Sequence, residues 1–390
     1  MISFLIKRLI KEPNNISCPQ VRQRYGMICS LAGIGFNLLL FAGKFLAGFF
    51  SHSIGITADA FNNLSDAGSS LITLAGFKMA GQKPDSDHPF GHGRIEYISG
   101  LMVSFVILLM AFELFKTSIQ KILAPEELIF SPLVIIILLC SMGIKFYMAF
   151  YNRSIGRRID SAAMLAASTD SFSDTIATFV VLVATLISHF TGFAIDGYCG
   201  LAVAIFIFYA GIKAARDTIS PLLGQAPEPQ FVKQIHEIVM SYEGVIGIHD
   251  LIVHNYGPGR VLLSLHAEVP SDSDILTMHD IIDLIEHELR DRLNCHAVIH
   301  MDPVRINDPE TDRLKELVEA YLAEISTDLS LHDFRIVTGP THTNIIFDIV
   351  TPYGFPMTDK ELVEQLTSMI RTENPNYYAV IEVDKTYSGI

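Results

Sequence analysis

The chain has 390 residues, half of them hydrophobic and only 18% charged, with a mean hydropathy of +0.37 and a formal charge of −14. That balance excludes a disordered chain and points to a membrane protein, because soluble domains carry about 25% charged residues. Five cysteines, at 18, 29, 140, 199 and 295, form no close-spaced pattern, which excludes a disulfide-framed secreted fold.

The length predicts two or three domains, and the charge is split between them. Residues 1–225 hold 17 basic and 14 acidic side chains, whereas residues 226–390 hold 11 basic and 28 acidic ones. The acidic half excludes a nucleic-acid partner, which needs clustered Lys and Arg. It suits a multivalent cation.

Residues 1–25 read as a cytoplasmic N-terminal segment, and residues 26–225 as a membrane domain of six transmembrane helices. Apolar runs of about 20 residues, enough to cross a hydrocarbon core, lie near 26–50, 54–79, 95–116, 128–150, 161–188 and 195–223. The first begins well inside the chain and has no small-residue cleavage site after it, unlike a removable signal peptide. Short-loop basic residues set the orientation. Lys7, Arg8, Lys11, Arg22 and Arg24 precede the first span, Lys83 and Arg94 follow the second, and Arg153, Arg157 and Arg158 follow the fourth. The opposite loops hold no Lys or Arg apart from Lys116 and Lys121 beside the 3–4 loop, so both termini are expected in the cytoplasm.

Spans two and five carry acids that lipid disfavours. Asn62 and Asp66 are four apart in span two, as are Asp170 and Asp174 in span five, so each pair shares one helix face. A mid-span acid costs about 2.5–3.5 kcal/mol. Three together also repel one another and need a cation or protons to be tolerable. Acids that only hydrogen-bond neighbouring helices are the plainer alternative, but Ser or Thr would do that at lower cost. An all-oxygen set without His, Cys or Met favours a hard divalent ion, with Mn2+ ahead of Zn2+. Asp59, seven residues before Asp66, is a candidate entrance residue.

After Pro227 the periodicity shortens. A helix over 229–242, strands over 245–256 and 259–270, a helix over 274–292 and a strand over 295–302 predict an α-β-β-α-β sandwich in residues 229–303. Residues 304–390 repeat it. Gly257-Pro258 recurs at Gly339-Pro340, and Ala297–Asp302 recurs at Ala379–Asp384. His249-Asp250 recurs as His332-Asp333 with a one-residue slip, and helices near 311–326 and 358–372 complete a second unit.

Together these residues resemble the cation diffusion facilitators, divalent-metal/proton antiporters. The likeness spans about 26–303. It rests on the six spans, the paired four-spaced polar residues, the loop Asp85-Ser-Asp-His88-Pro-Phe-Gly-His92-Gly-Arg94, and a cytoplasmic module with His249-Asp250-Leu251 and His300-Met-Asp302-Pro303. Zinc-carrying members place His in one or more of the four transport positions. The pattern here, Asn62-xxx-Asp66 with Asp170-xxx-Asp174, resembles the manganese-exporting branch.

The resemblance implies a secondary active transporter, not an enzyme, in the cell (plasma) membrane. It would be a homodimer working by alternating access without ATP, with metal ions and protons as its partners and no cofactor. It also implies a ferredoxin-like (metallochaperone-like) α+β cytoplasmic domain, here apparently duplicated. His249, His266, His279, His300 and Asp302 fall at positions that bind regulatory metal in many members, and Asp85, His88 and His92 at a loop metal site of zinc members. Two His four apart on a helical turn can share a metal; a bent, solvated loop is the alternative reading. In the second copy the equivalents are Asp348, Glu382 and Asp384, and a structural duplicate is preferred over a weak site for a harder ion. Zn2+ or Fe2+ efflux is the nearest alternative function. An intramembrane aspartyl protease is remote, since neither acid stands in a Tyr-Asp or Gly-x-Gly-Asp context and two acids leave the third unexplained.

Overall fold

The computed structural model describes residues 2–10, 19–51, 54–124, 132–191 and 195–386. It forms two compact units: Met1–Gln225 together with Asn255–Arg260, and Ala226–His254 together with Val261–Ile390.

The first unit is helical: α1 (Ile2–Leu9), α2 (Pro19–Ser51), α3 (Ile54–Ala80), α4 (Ile95–Leu123), α5 (Pro132–Arg158), α6 (Ala162–Thr191) and α7 (Asp196–Leu223). The shortest of α2–α7 has 27 residues, about 40 Å at 1.5 Å per residue, against a hydrocarbon core of about 30 Å. Among the described residues, four stretches are also apolar enough to cross a membrane: Gln20–Leu46, Ile95–Leu123, Ile135–Arg158 and Gly197–Leu223. They expose large apolar side chains such as Leu39, Phe105, Leu109 and Ile205, a surface that lipid rather than water accommodates. The four-spaced acids lie on α3 and α6.

Helix α2 packs on α3, α4 on α7, and α6 on α3, α4, α5 and α7. Close approach uses small residues. A Cβ at Gly100 on α4 would stand 2.8 Å from Thr218 on α7 and 3.1 Å from the Ala163 backbone on α6. Arg22 pairs with Glu96 and donates to the carbonyls of Ile159 and Asp160, both at 2.6 Å, while Ser161 also donates to Glu96. Every arm of the guanidinium is thus satisfied, which a buried ion pair requires. Arg22, read from sequence as a loop charge, is instead a buried clamp between α2, α4 and the α5–α6 turn. The N-terminal segment also holds more than loop: Ile2, Ile6 and Ile10 recur every four residues and join a core with Tyr25, Met148 and Tyr151.

The second unit runs α8 (Pro229–Val239), β1 (Gly247–Asn255), β2 (Val261–Pro270), α9 (Ile275–Leu293), β3 (Cys295–Val304), α10 (Pro309–Ile325), β4 (Ser330–Thr338), β5 (Thr343–Pro352), α11 (Asp359–Glu373) and β6 (Tyr377–Thr386). Two three-stranded sheets result, ordered β1-β2-β3 and β4-β5-β6. Strand β2 runs parallel to β3 with Val261 opposite Cys295, and β5 parallel to β6 with Thr343 opposite Tyr377. Alternation along each strand divides the faces. Leu263, Leu265 and Ala267 pack on Ile235, Ile285 and Leu289 of α8 and α9. Ile345, Phe347 and Ile349 likewise pack on Leu314, Val318 and Leu366 of α10 and α11. Helices α9, α10 and α11 start at side-chain caps: Asp274 accepts from the Thr277 N–H, Asp308 from that of Thr311, and Thr358 forms a capping box with Glu361. Asp250 and Asp333 share a left-handed backbone, φ 53° and 49°, and the β4–β5 register shifts between His332 and Arg335. The β4 shift is a β-bulge, with three residues of β4 spanning two of β5.

Candidate metal centre

Asp170 and Asp174, one turn apart on α6, face Asp66 on α3, and one carboxylate oxygen from each lies within 4.8 Å of the others. Asp66 and Asp170 are buried. Lys145 of α5 enters the same cluster, its Nζ 2.6 Å from Asp66 Oδ2 and 2.7 Å from Asp174 Oδ2. Asp66 Oδ1 has no hydrogen-bond partner. With the acids ionised, three carboxylates and one ammonium sum to −2. One divalent cation, or two protons, balances these four groups, and the buried Lys44 of α2 also acts on Asp66. Asn62, the expected fourth ligand, is exposed, whereas its neighbour Asn63 is buried. The side chain of Asp59 lies outside the described residues.

Lys145 was missed in the sequence because only acids were sought in the spans. A lysine at mid-span costs as much as an aspartate, and its isolation in an otherwise apolar run was the available signal.

In the loop between α3 and α4, Asp85 lies 3.4 Å from His88 Nδ1 and 3.5 Å from His92 Nε2, and the two imidazoles are 4.5 Å apart. The three could hold an ion. The segment is not helical, contrary to the helical-turn reading. Asp85 Oδ1 accepts from the backbone N–H groups of Asp87 and His88, at 3.1 and 2.7 Å, and Gly91 at φ 82° turns the chain so that His92 comes back. The backbone N–H of His88, ahead of the His92 and His88 charges, holds the Asp85 carboxyl below its usual range.

The polar side of the first sheet gathers four of the five expected residues. His266 Nδ1 is 2.9 Å from Asp302 Oδ2, His300 Nε2 is 3.1 Å from Asp302 Oδ1, and His249 Nε2 is 3.2 Å from Asp302 Oδ2. Register explains part of this, since His266 stands directly opposite His300. His279 is exposed on α9 and joins none of the ligand groups among the described residues.

Asp348, Glu382 and Asp384 of the second sheet likewise form no ligand group among the described residues. Asp348 is pushed up to about 6, first by burial and then by the carboxylates of Asp333, Asp384, Glu382 and Asp250. Its folded value exceeds its unfolded one, so ionisation opposes folding. The penalty is full above about pH 6 and fades as pH falls towards 4. Asp348→Asn should therefore stabilise the second sheet at pH 7 by about 1 kcal/mol, after discounting for solvent screening. The gain should vanish near pH 4. Hydrogen exchange of the β5 amides at both pH values, with chelator present, is the measurement.

Compared with known proteins, residues 30–223 match the cation efflux transmembrane domain, and residues 227–304 match the cation efflux protein cytoplasmic domain. An uncharacterized transporter of Methanocaldococcus jannaschii is 30% identical over 279 residues, 71% of this chain and 97% of that protein. The cation-efflux pump FieF of Shigella boydii is 28% identical over 297 residues, 75% of this chain and 99% of the relative. FieF of Escherichia coli shows the same identity and coverage. The matched cytoplasmic domain ends at residue 304, so the second sheet lies beyond it. On this likeness over most of its length, and with buried carboxylates gathered between apolar helices, the chain belongs to the cation diffusion facilitator family, the divalent-cation efflux transporters.

Proposed function

We propose that the chain exports Mn2+ from the cytoplasm in exchange for protons. The observation that carries this reading is the buried oxygen-only cluster of Asp66, Asp170 and Asp174. Carboxylate oxygen favours Mn2+ over ions that prefer imidazole or sulfur. Asn62, one turn before Asp66 on α3, supplies the fourth oxygen from an open side. Lys145 sets the charge that one divalent ion completes. Protons entering from the far side compete for the same carboxylates and release the metal.

In this reading all six long helices span a plasma membrane, with both termini in the cytoplasm, and two chains form a homodimer working by alternating access. Residues 229–303 form the cytoplasmic ferredoxin-like domain, and residues 304–390 its second copy. The shared strand order and the paired left-handed aspartates support that duplication.

Flux into proteoliposomes, comparing Mn2+, Zn2+ and Fe2+ with and without a proton gradient, tests the assignment. The expected result is gradient-dependent Mn2+ flux in the parent and none in Asp66→Ala. Strong parental Zn2+ or Fe2+ flux with little Mn2+ would sink the manganese reading and leave the family assignment standing.

A further inference from the structure

His332 on β4 lies beyond the residues matched to the cation efflux domains. Its ring stacks on that of His249 on β1, with centroids 4.5 Å apart and planes 29° apart. The two side chains are 9% and 4% exposed, and none of their four ring nitrogens makes a hydrogen bond. His249 Nδ1 lies 3.4 Å from Asp250 Oδ2 and its Nε2 3.2 Å from Asp302 Oδ2, without hydrogen-bond geometry. His332 Nε2 is 3.8 Å from Asp384 Oδ2. Two stacked, buried imidazoles ringed by carboxylates at 3.2–3.8 Å, without well-formed hydrogen bonds, need an explanation.

A cation supplies one. One ligand atom from each of His249, Asp250 and His332 lies within 4.8 Å of the others. Closing that triangle to about 3.3–3.5 Å gives the edge of a tetrahedron with metal–ligand bonds of about 2.0–2.1 Å. The backbone has prepared the geometry. In a regular strand consecutive side chains point to opposite faces, but the left-handed conformation at Asp250 brings its carboxylate back towards His249.

We propose that His332 completes a divalent-cation site with His249 and Asp250, and that the bound ion clips the second sheet to the first within one chain. Two imidazoles and a carboxylate select a borderline ion of the Zn2+ class rather than Mn2+. His266 and Asp302 form a group that also includes His249, so a second ligand set adjoins the first. The tail then contributes a ligand rather than only bulk. The site does not depend on which ion is transported.

The test is hydrogen exchange and Zn2+ equilibrium binding on the full-length chain in detergent. In the parent, micromolar Zn2+ should slow exchange of the β4 amides at least tenfold, and Mn2+ at the same concentration should not. His332→Leu should lose that protection and bind one Zn2+ fewer per chain, or bind it at least tenfold more weakly. His332→Gln and Asp250→Asn provide the same reading should the leucine variant misfold. Unchanged β4 exchange in the parent on adding Zn2+ overturns the proposal without any variant. So does equal Zn2+ stoichiometry and affinity in the parent and a folded His332 variant.

Discussion

Lys145→Met should lower the melting temperature of the protein and suppress its metal turnover at least tenfold. The ammonium sits between Asp66 and Asp174 at 2.6 and 2.7 Å. Removing one partner of a buried ion pair leaves its charge uncompensated, which costs roughly 3–5 kcal/mol. The cluster would then sum to −3 instead of −2 whenever the acids are ionised. A divalent ion would bind more tightly to it and leave more slowly. At an effective dielectric of about 20, two charges 4 Å apart interact by about 4 kcal/mol, ample for a tenfold change at about 1.4 kcal/mol per decade. Two further measurements isolate the cause. Lys145→Met with Asp174→Asn should recover the melting temperature, because a charge of each sign has gone, but not the transport. Millimolar Mn2+ should recover the melting temperature of Lys145→Met alone, by mass action. A Lys145→Met protein that melts and transports like the parent would make the lysine a bystander.

Exchanging oxygen for imidazole should move selectivity. Asn62→His with Asp170→His should raise the ratio of Zn2+ to Mn2+ flux at least tenfold, because neutral imidazole is a better partner for Zn2+ than for Mn2+. The absolute rate is a poor measure here, since losing the Asp170 carboxylate also changes the cluster charge from −2 to −1. The ratio cancels that effect. The single variants separate the two positions. Asp170 is buried within the cluster, whereas Asn62 is exposed, so Asp170→His alone should produce part of the shift. If Asn62→His adds nothing to it, the fourth oxygen comes from elsewhere. An unchanged ratio in the double variant would remove these positions from selectivity.

The sequence revealed what depends on local period. Four-residue spacing put Asp170 and Asp174 on one face of a helix, while His266 and His300 were singled out only through the family resemblance. Repetition at a shift of 82 pointed to a second copy, and a second three-stranded sheet stands there. What it hid depends on long-range packing. Arg22 looks like any loop arginine until Glu96, 74 residues on, folds against it. Lys145 gains its meaning only when α5 delivers it between α3 and α6. The loop histidines have helical spacing, but Pro89 and Gly91 break the helix and a turn unites them. His332 entered the sequence comparison only as the counterpart of His249, whereas its ring stacks directly on His249 across the two sheets.

The lysine between the carboxylates also bears on how the protein is made. On the six-span reading, α3 enters the bilayer with Asp66 before α5 has been synthesised, and Lys145 follows 79 residues later. At about 5–20 residues per second, Asp66 waits roughly 4–16 s for its counter-charge. Among the described residues, helix α3 is not one of the stretches apolar enough to cross alone. Its retention during biogenesis therefore rests on the arrival of α5, and an early truncation between α3 and α5 should leave α3 outside the bilayer or in the hands of the insertion machinery.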